Sequence, residues 1–174
     1  MTCRITGLLL LLLLPGLVAA RAEPISRREV LAAIAVLEKD VTSADALTAA
    51  ETVTRFGKES EEVLLIVGEE TLPWVQQDPP EDEAAARMML MAVYFAGDIK
   101  SQLQKRRAED DPYSGWLAAI RGYRLMRKKQ PGLVIAEIEE LIRKEEAGAL
   151  QQEAEDLRKQ QEQDERQERA KNIV

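Results

Sequence analysis

Residues 109–132, EDDPYSGWLAAIRGYRLMRKKQPG, carry the clearest helix signals in the chain. Asp111 is a good N-cap and Pro112 a good first helical residue, so these residues predict a helix from Pro112 to about Gln130. At about 100° per residue its large apolar side chains fall on one stripe, which predicts a face packed against a core. That stripe consists of Tyr113, Trp116, Ile120 and Tyr123.

Two glycines border this stripe. Gly115 and Gly122 are seven residues apart and therefore lie on nearly the same side of the helix. Each costs helix propensity, roughly 1 kcal/mol relative to alanine. We expect close packing of a neighbouring helix to offset that cost.

The basic residues of the stretch divide into two groups. Arg127-Lys128-Lys129 end the helix, where cations complement the macrodipole. Arg121 and Arg124 lie in mid-helix on the outer face, and Lys128 continues their line. Solvation or ion pairs with acidic helices would explain them, and so would contact with an anion or an acidic peptide. We therefore treat Arg121, Arg124 and Lys128 as candidate partner-binding residues.

One resemblance to a known family comes from the same stretch. The spacing of Trp116, Ala119, Tyr123 and Pro131 resembles the second helix and closing proline of a tetratricopeptide-type repeat. It covers half of one repeat, and no second copy occurs in the chain. The resemblance implies helical-hairpin packing of the kind used in protein interactions.

Outward from this helix, the whole chain has a helical composition, rich in Ala, Leu, Glu, Arg, Lys and Gln. The predicted fold is all-α, a bundle or helical-hairpin array of about five to six helices with a long charged C-terminal helix. Ser26 and Glu29 have the spacing of a capping box at the start of the first helix. Residues 88–96, MMLMAVYFA, are apolar all round and predict a central helix surrounded by others.

Two segments leave alternatives open. Val63–Val67 predicts a short helix or a buried strand; we favour the helix, because no second strand offers itself as a partner. Residues 69–81 predict the main irregular connection. Trp74 within it either fills the core from outside or is presented to a partner, so it joins the candidate binding residues.

The N-terminal sequence predicts a secretory signal peptide at residues 1–22. Arg4 is followed by an apolar run too short to span a bilayer. Small residues allow cleavage before Arg21 or before Glu23, and we take Glu23 as the mature start. We expect an extracytoplasmic protein, periplasmic or secreted, with no stable membrane anchor after cleavage. The remaining chain predicts a helical domain at 23–150 and a charged helical or frayed tail at 151–174.

The tail has few apolar residues after Leu157 and several acid-before-base pairs four residues apart. Such pairs are each worth roughly 0.2–0.5 kcal/mol to a solvated helix. A coiled coil is the alternative, but the heptad positions after Leu157 are polar. The pairs are Glu155/Lys159, Glu162/Arg166 and Glu165/Arg169.

Composition excludes several kinds of chemistry. The chain has no histidine, and its one cysteine, Cys3, lies within the predicted signal peptide. Without these residues the usual nucleophilic triads, haem ligands and zinc sites are absent. Removing residues 1–22 takes away two arginines and no acid, which leaves 22 basic against 31 acidic residues, or −9. We therefore expect no nucleic-acid partner and no cofactor.

Carboxylate and thioether chemistry remain. Glu69, Glu70 or Asp98 could serve a helical glycosidase, but no motif supports them. Met88, Met89 and Met91 could bind copper(I) or fill the core, and core filling is the simpler interpretation.

The sequence therefore predicts a non-enzymatic protein-interaction or scaffold module whose protein partner is unknown. A periplasmic chaperone-like or stress protein is the first alternative. A carboxylate-dependent cell-wall hydrolase is the second.

Overall fold

The computed structural model describes residues 23–75 and 78–171. This part of the chain is all-helical, as predicted, and the helices pack as a bundle. The predicted signal peptide, residues 1–22, lies outside the described residues. The six described helices are α1 (Arg27–Lys39), α2 (Ala46–Glu59), α3 (Glu81–Lys105), α4 (Pro112–Lys129), α5 (Ala136–Glu146) and α6 (Leu150–Lys171).

The start of α1 confirms the capping box. The Ser26 hydroxyl accepts a hydrogen bond from the Glu29 backbone N–H at 3.3 Å, and the Glu29 carboxylate accepts one from the Ser26 N–H at 2.7 Å. These two bonds satisfy amide donors that a helix start leaves without partners. They place the apolar stripe of α1 against the core, where Val30, Ile34 and Leu37 are buried.

The hairpin of α3 and α4 is the centre of the fold. The α4 helix runs from Pro112 to Lys129 as predicted, and Asp111 caps it by accepting from the Ser114 N–H at 3.1 Å. A Cβ built on Gly115 would lie 2.4 Å from the Tyr94 ring, and one on Gly97 would lie 2.4 Å from the Ser114 carbonyl oxygen. Since neither glycine leaves room for a methyl group, both allow α3 and α4 to approach closely.

The prediction of a helix at Val63–Val67 is wrong. The segment is irregular, and no described strand pairs with it. Side chains replace the missing strand partner. Gln102 accepts from the Leu64 N–H at 2.9 Å and donates to the Leu64 carbonyl at 2.7 Å. Asp110 accepts from the Ile66 N–H at 2.9 Å, so three of the segment's backbone groups find partners without helix or sheet.

The prediction that residues 88–96 are surrounded on all sides is also wrong at one end. Val93, Tyr94 and Phe95 are buried, but Met88 is 57 % exposed. The preceding residue, Arg87, is buried instead, with 6 % exposure. Its guanidinium binds Glu83 at 2.7 Å and the Trp74 carbonyl at 2.8 Å, and these bonds offset the cost of burying its charge.

The C-terminal helix α6 is packed at one end and solvated at the other. Leu150, Ala154 and Leu157 are buried in the core. Beyond Leu157 no side chain that the structure describes is buried. In this solvated part the predicted pair of Glu162 with Arg166 forms at 3.4 Å. Lys159 binds Asp156 at 3.0 Å instead of the predicted Glu155, and the side chains of Glu165 and Arg169 lie outside the described ones.

Candidate functional site

The candidate residue Trp74 is fully buried, with 0 % exposure. Its ring meets Tyr94 of α3 edge-to-face, with the ring centroids 6.1 Å apart. Burying a large aromatic residue in this way offsets part of the cost of ordering a loop, by roughly 2–3 kcal/mol. The side chain therefore fills the core, and it presents no surface to a partner.

The three basic candidates lie on the exposed side of α4, as predicted. Arg124 binds Glu145 of α5 at 2.9 Å, so an ion pair within the bundle accounts for it. Arg121 and Lys128 form no ion pair with any described residue. Two residues of the same face therefore have a charge that the described contacts do not neutralise.

The basic residues at the end of α4 are tied to other elements. Arg127 binds Glu139 of α5 at 2.8 Å, and Lys129 binds Asp40 after α1 at 2.8 Å. The bond to Lys129 is the first cause of a pKa of Asp40 held far below its usual range; bonds from Thr42 add to it. These cations join the ends of three elements, in addition to complementing the helix dipole.

An apolar groove lies on the surface between α2 and α3. We call it the methionine groove; its cavity volume is about 560 Å³. Leu47 is 64 % exposed and Met88 57 % exposed at its edge. Met89 and Met91 are partly buried in it. Its apolar lining consists of Leu47, Ala50, Ala85, Met88, Met89, Met91 and Ala92.

Charged side chains line the groove on the α2 side only. Arg55 and Glu59 lie 3.9 Å apart as an ion pair. Glu51 and Lys58 make no ion pair within the described chain. An apolar floor beside a charged rim is the arrangement found at protein interfaces, where rim polar groups remain hydrated.

Sequence reasoning missed this groove, although a signal for half of it was present. The buried residues of α2 follow the stripe Ala46, Ala49, Val53 and Phe56. Leu47 is about 120° away from Val53 around the helix axis, so it cannot share that stripe. Nothing comparable marks Met88, because it belongs to the apolar run 88–96 and is exposed even so.

Apart from the methionine groove, a cluster of acidic side chains lies buried between α3 and the α3–α4 connection. Asp98 is 0 % exposed and Asp110 4 % exposed. Burial, followed by the charge of Asp110, raises the pKa of Asp98 to about 8; burial also raises the pKa of Asp110. Because burial raises both pKa values and the charge of Asp110 acts on Asp98, the pair retains a proton at neutral pH.

The adjacent Asp111 behaves in the opposite way. Partial burial by itself raises the pKa of Asp111, but bonds from Lys105, Ser101 and Ser114 outweigh burial and lower it to about 2. The Lys105 ammonium lies 2.6 Å from its carboxylate. Asp111 is therefore an ionised N-cap of α4 that lies beside the protonated Asp98–Asp110 pair.

Neither Asp98 nor Asp110 lines the methionine groove or a polar cleft of about 340 Å³ that lies beside Asp111 and Arg158. Glu69 and Glu70 lie elsewhere, in the exposed loop before Trp74. The three acids that the sequence singled out are thus not brought together.

Glu70 borders a further cavity of about 490 Å³ between the loop, α4, α5 and α6. Pro73, Trp116 and Leu141 form its apolar part. Three of its acids are engaged: Glu137 lies 3.2 Å from Arg87, Glu153 lies 2.6 Å from Lys144, and Glu140 pairs with Arg143 within α5. Its charges mainly hold helices together. No group of three or more Asp, Glu, Cys or His side chains in the described ranges could hold a metal ion.

Comparison with known proteins adds no assignment: no protein family, curated protein or solved structure matches this chain. None of the helices within 23–75 and 78–171 is long and apolar enough to cross a membrane.

Proposed function

We propose that this protein is a non-enzymatic, extracytoplasmic interaction module that binds an amphipathic helix of a protein partner in the methionine groove. The exposure of Leu47 and Met88 at one continuous apolar surface carries the proposal. Soluble proteins that leave such a patch open to water use it for contact with other molecules.

The chemistry of the groove suits a helical ligand. Methionine side chains are flexible and polarisable, so they adapt to the apolar ridge of a bound helix. A helix lying in a groove contacts it through residues at positions i, i+3, i+4 and i+7. Glu51 and Lys58 on the rim would then meet charged residues on the flanks of that helix.

The extracytoplasmic location rests on the sequence of residues 1–22. A charged start, an apolar run and small residues before the predicted cleavage site are typical of a secretory signal. Protein sequencing of the mature chain tests it, and we expect the first residue to be Glu23 or Arg21.

Site-specific crosslinking tests the groove. A photoreactive amino acid at Met88 should crosslink to a partner when the full chain is expressed in its native cells. The same group at Val134, 56 % exposed between α4 and α5, is the matched control and should give no such product. Mass spectrometry then identifies the crosslinked segment, which we expect to be an amphipathic helix.

Charge substitutions provide the second arm of the test. Leu47→Glu combined with Met88→Glu should abolish the crosslinked or captured partner, whereas Val134→Glu should retain it. Loss of the partner only in Arg121→Glu/Arg124→Glu would move the site to the outer face of α4. Loss only after truncation at Leu157 would move it to the tail. Either result would overturn the groove as the binding site.

A chaperone-like role is the second candidate. The solvated end of α6 favours it, because a charged helical arm keeps a client complex soluble, and an adaptable groove accepts many apolar segments. Failure to suppress aggregation of a denatured client at equimolar protein would contradict this candidate and leave the specific-partner proposal standing.

A further inference from the structure

Segment 63–67, which follows α2, is attached to the bundle through three backbone hydrogen bonds to buried side chains. Gln102 supplies two of them, at Leu64, and Asp110 supplies the third, at Ile66. Gln102 is 1 % exposed and Asp110 4 % exposed. Because buried peptide groups require partners, loss of either side chain from its position weakens the attachment of the segment.

The position of both side chains depends on Asp98. Its Oδ1 atom accepts from Gln102 Nε2 at 2.8 Å and from the Asp111 backbone N–H at 2.9 Å. The Oδ2 atoms of Asp98 and Asp110 are both buried and have no hydrogen-bond partner among the described residues. Two buried carboxylates that lack a donor at these oxygens and act on each other by charge repel, so the pair retains one proton.

No buried cation within the described chain substitutes for that proton. Lys105 is occupied by Asp111, and Arg158 of α6 is 42 % exposed and lies 3.1 Å from Glu109. Segment 63–67 brings no titratable side chain to the pair. The groups that act on the pair are Tyr94 of α3, Asp111 of the connection and Arg158 of α6, and the Tyr94 hydroxyl stays neutral because burial raises its pKa.

We propose that Asp98 and Asp110 form a proton-dependent latch, in which one shared proton holds segment 63–67 against α3 and loss of that proton releases the segment. In the released state water hydrates both carboxyl groups. The latch uses no cofactor, and the transferred species is a single proton exchanged with solvent.

The direction of the pH dependence follows from linkage. In the closed state burial raises the pKa of Asp98 to about 8. In the released state a hydrated aspartate titrates near its ordinary value of about 4. Opening therefore releases a proton between these limits, and the opening equilibrium increases about tenfold per pH unit until it levels off above pH 8. The latch is tight in mild acid and loose in mild base.

Release would uncover apolar surface next to α2. Val63 is buried, and Leu65 is packed so closely against Gly57 of α2 that a Cβ there would lie 2.4 Å from its Cδ1 atom. The connection between α2 and α3 would then loosen at its α2 end. The latch stands on contacts that do not involve the methionine groove, so its test is independent of the proposed function.

Hydrogen exchange of the Leu64 and Ile66 amides measures opening directly. Their protection factors, corrected for the intrinsic pH dependence of exchange, should fall about 100-fold between pH 5.5 and 7.5 in the unmodified protein. In Asp98→Asn an amide donates to Asp110 without a proton to lose, while its oxygen still accepts from Gln102 and Asp111. Protection in this variant should change less than about threefold over the same range.

A second substitution and a control complete the experiment. Asp110→Asn replaces the second member of the pair and should also remove the pH dependence. Glu62 is an exposed acid beside the segment, and Glu62→Gln should retain the pH dependence. Three results would overturn the latch. They are a flat profile in the unmodified protein, a full pH dependence in both Asn variants, or protection of Leu64 equal to that of core residue Ile120 at every pH.

Discussion

Asp111 performs two tasks with one carboxylate. Its Oδ1 atom caps α4, and its Oδ2 atom accepts from Ser101, Lys105 and Ser114. Only the ionised form can accept all of these bonds, which is why the pKa of Asp111 is lowered to about 2 in spite of partial burial.

We predict that Asp111→Asn removes part of the resistance to acid. A group whose pKa is lowered on folding stabilises the fold above its unfolded pKa of about 4, and this contribution is lost as the pH falls toward 2. The variant should therefore lose about 2 kcal/mol of unfolding free energy at pH 7, and should differ less from the unmodified protein at pH 2.

Urea unfolding at a series of pH values measures this effect. Asp156→Asn is the control, because Asp156 also has a lowered pKa, caused by Lys159 and Gln152, but its side chain is 60 % exposed. The prediction would be contradicted if both variants lost the same free energy of unfolding. It would also be contradicted if the loss for Asp111→Asn did not become smaller in acid.

Gly97 provides a second test at the scale of one residue. An added methyl group would lie 2.4 Å from the Ser114 carbonyl oxygen and 2.5 Å from the Ala118 Cβ, both in α4. Backbone cannot move aside as a flexible side chain can, so Gly97→Ala should separate α3 from α4. Overpacking of this kind costs about 1–3 kcal/mol, and the gain in helix propensity returns roughly 1 kcal/mol.

We expect Gly97→Ala to lower the unfolding free energy by about 1–2 kcal/mol in denaturant titration. Gly132→Ala is the matched control, because no atom lies within 4 Å of the added methyl group. It should change stability by less than about 0.5 kcal/mol. A stabilised Gly97→Ala variant would show that the two helices can separate at little cost.

At the scale of the element, α6 divides after Leu157. Leu150, Ala154 and Leu157 bury one side of its first turns, whereas the described side chains beyond them are solvated. Exposed pairs such as Glu162 with Arg166 stabilise the helix itself by only a few tenths of a kcal/mol. The packed turns therefore carry what α6 contributes to the stability of the bundle.

Truncation after Gln161 should lower the melting temperature by less than about 2 °C, since it removes no buried side chain that the structure describes. Leu150→Ala should lower the free energy of unfolding by about 2–5 kcal/mol, because Leu150 is 2 % exposed. Circular dichroism melting curves compare the two. The opposite result would be a large decrease in melting temperature on truncation and a small one for Leu150→Ala. It would show that residues after Gln161 make contacts outside this structure, such as those of an oligomer.

At the scale of the whole molecule, one hydrophobic core joins all six described helices. A single cluster contains Val30, Val53, Leu90, Ile138 and Leu150, from five helices, together with Trp116 of α4. Arg87 adds a polar connection between α3, α5 and the loop of Trp74. No described helix has a core of its own.

We therefore predict one cooperative unfolding transition. Tryptophan fluorescence reports on Trp74 and Trp116, which are 0 % and 1 % exposed, and far-UV circular dichroism reports on all helices. The two signals should give the same midpoint and the same denaturant dependence. An earlier fluorescence change would mean that the loop of Trp74 detaches before the bundle unfolds.

The fold class and several element boundaries were predictable from sequence because their causes are local. Ser26 with Glu29 and Asp111 with Pro112 encode helix starts within a few residues, and the α4 stripe encodes its buried face. The candidate site was less predictable. The sequence singled out Arg124, whose charge is neutralised by Glu145, and Trp74, which is buried, but did not identify Leu47 or Asp110 as important.

The sequence by itself determined the helical fold, the absence of histidine and the predicted export signal, because composition and local spacing carry that information. Only the tertiary structure decided the state of Val63–Val67, which lacks helix and strand because Gln102 and Asp110, about 40 residues away in sequence, supply its hydrogen bonds. It likewise exposed Met88 and buried Arg87 beside it. Such outcomes depend on which distant groups come together, and no local pattern records them.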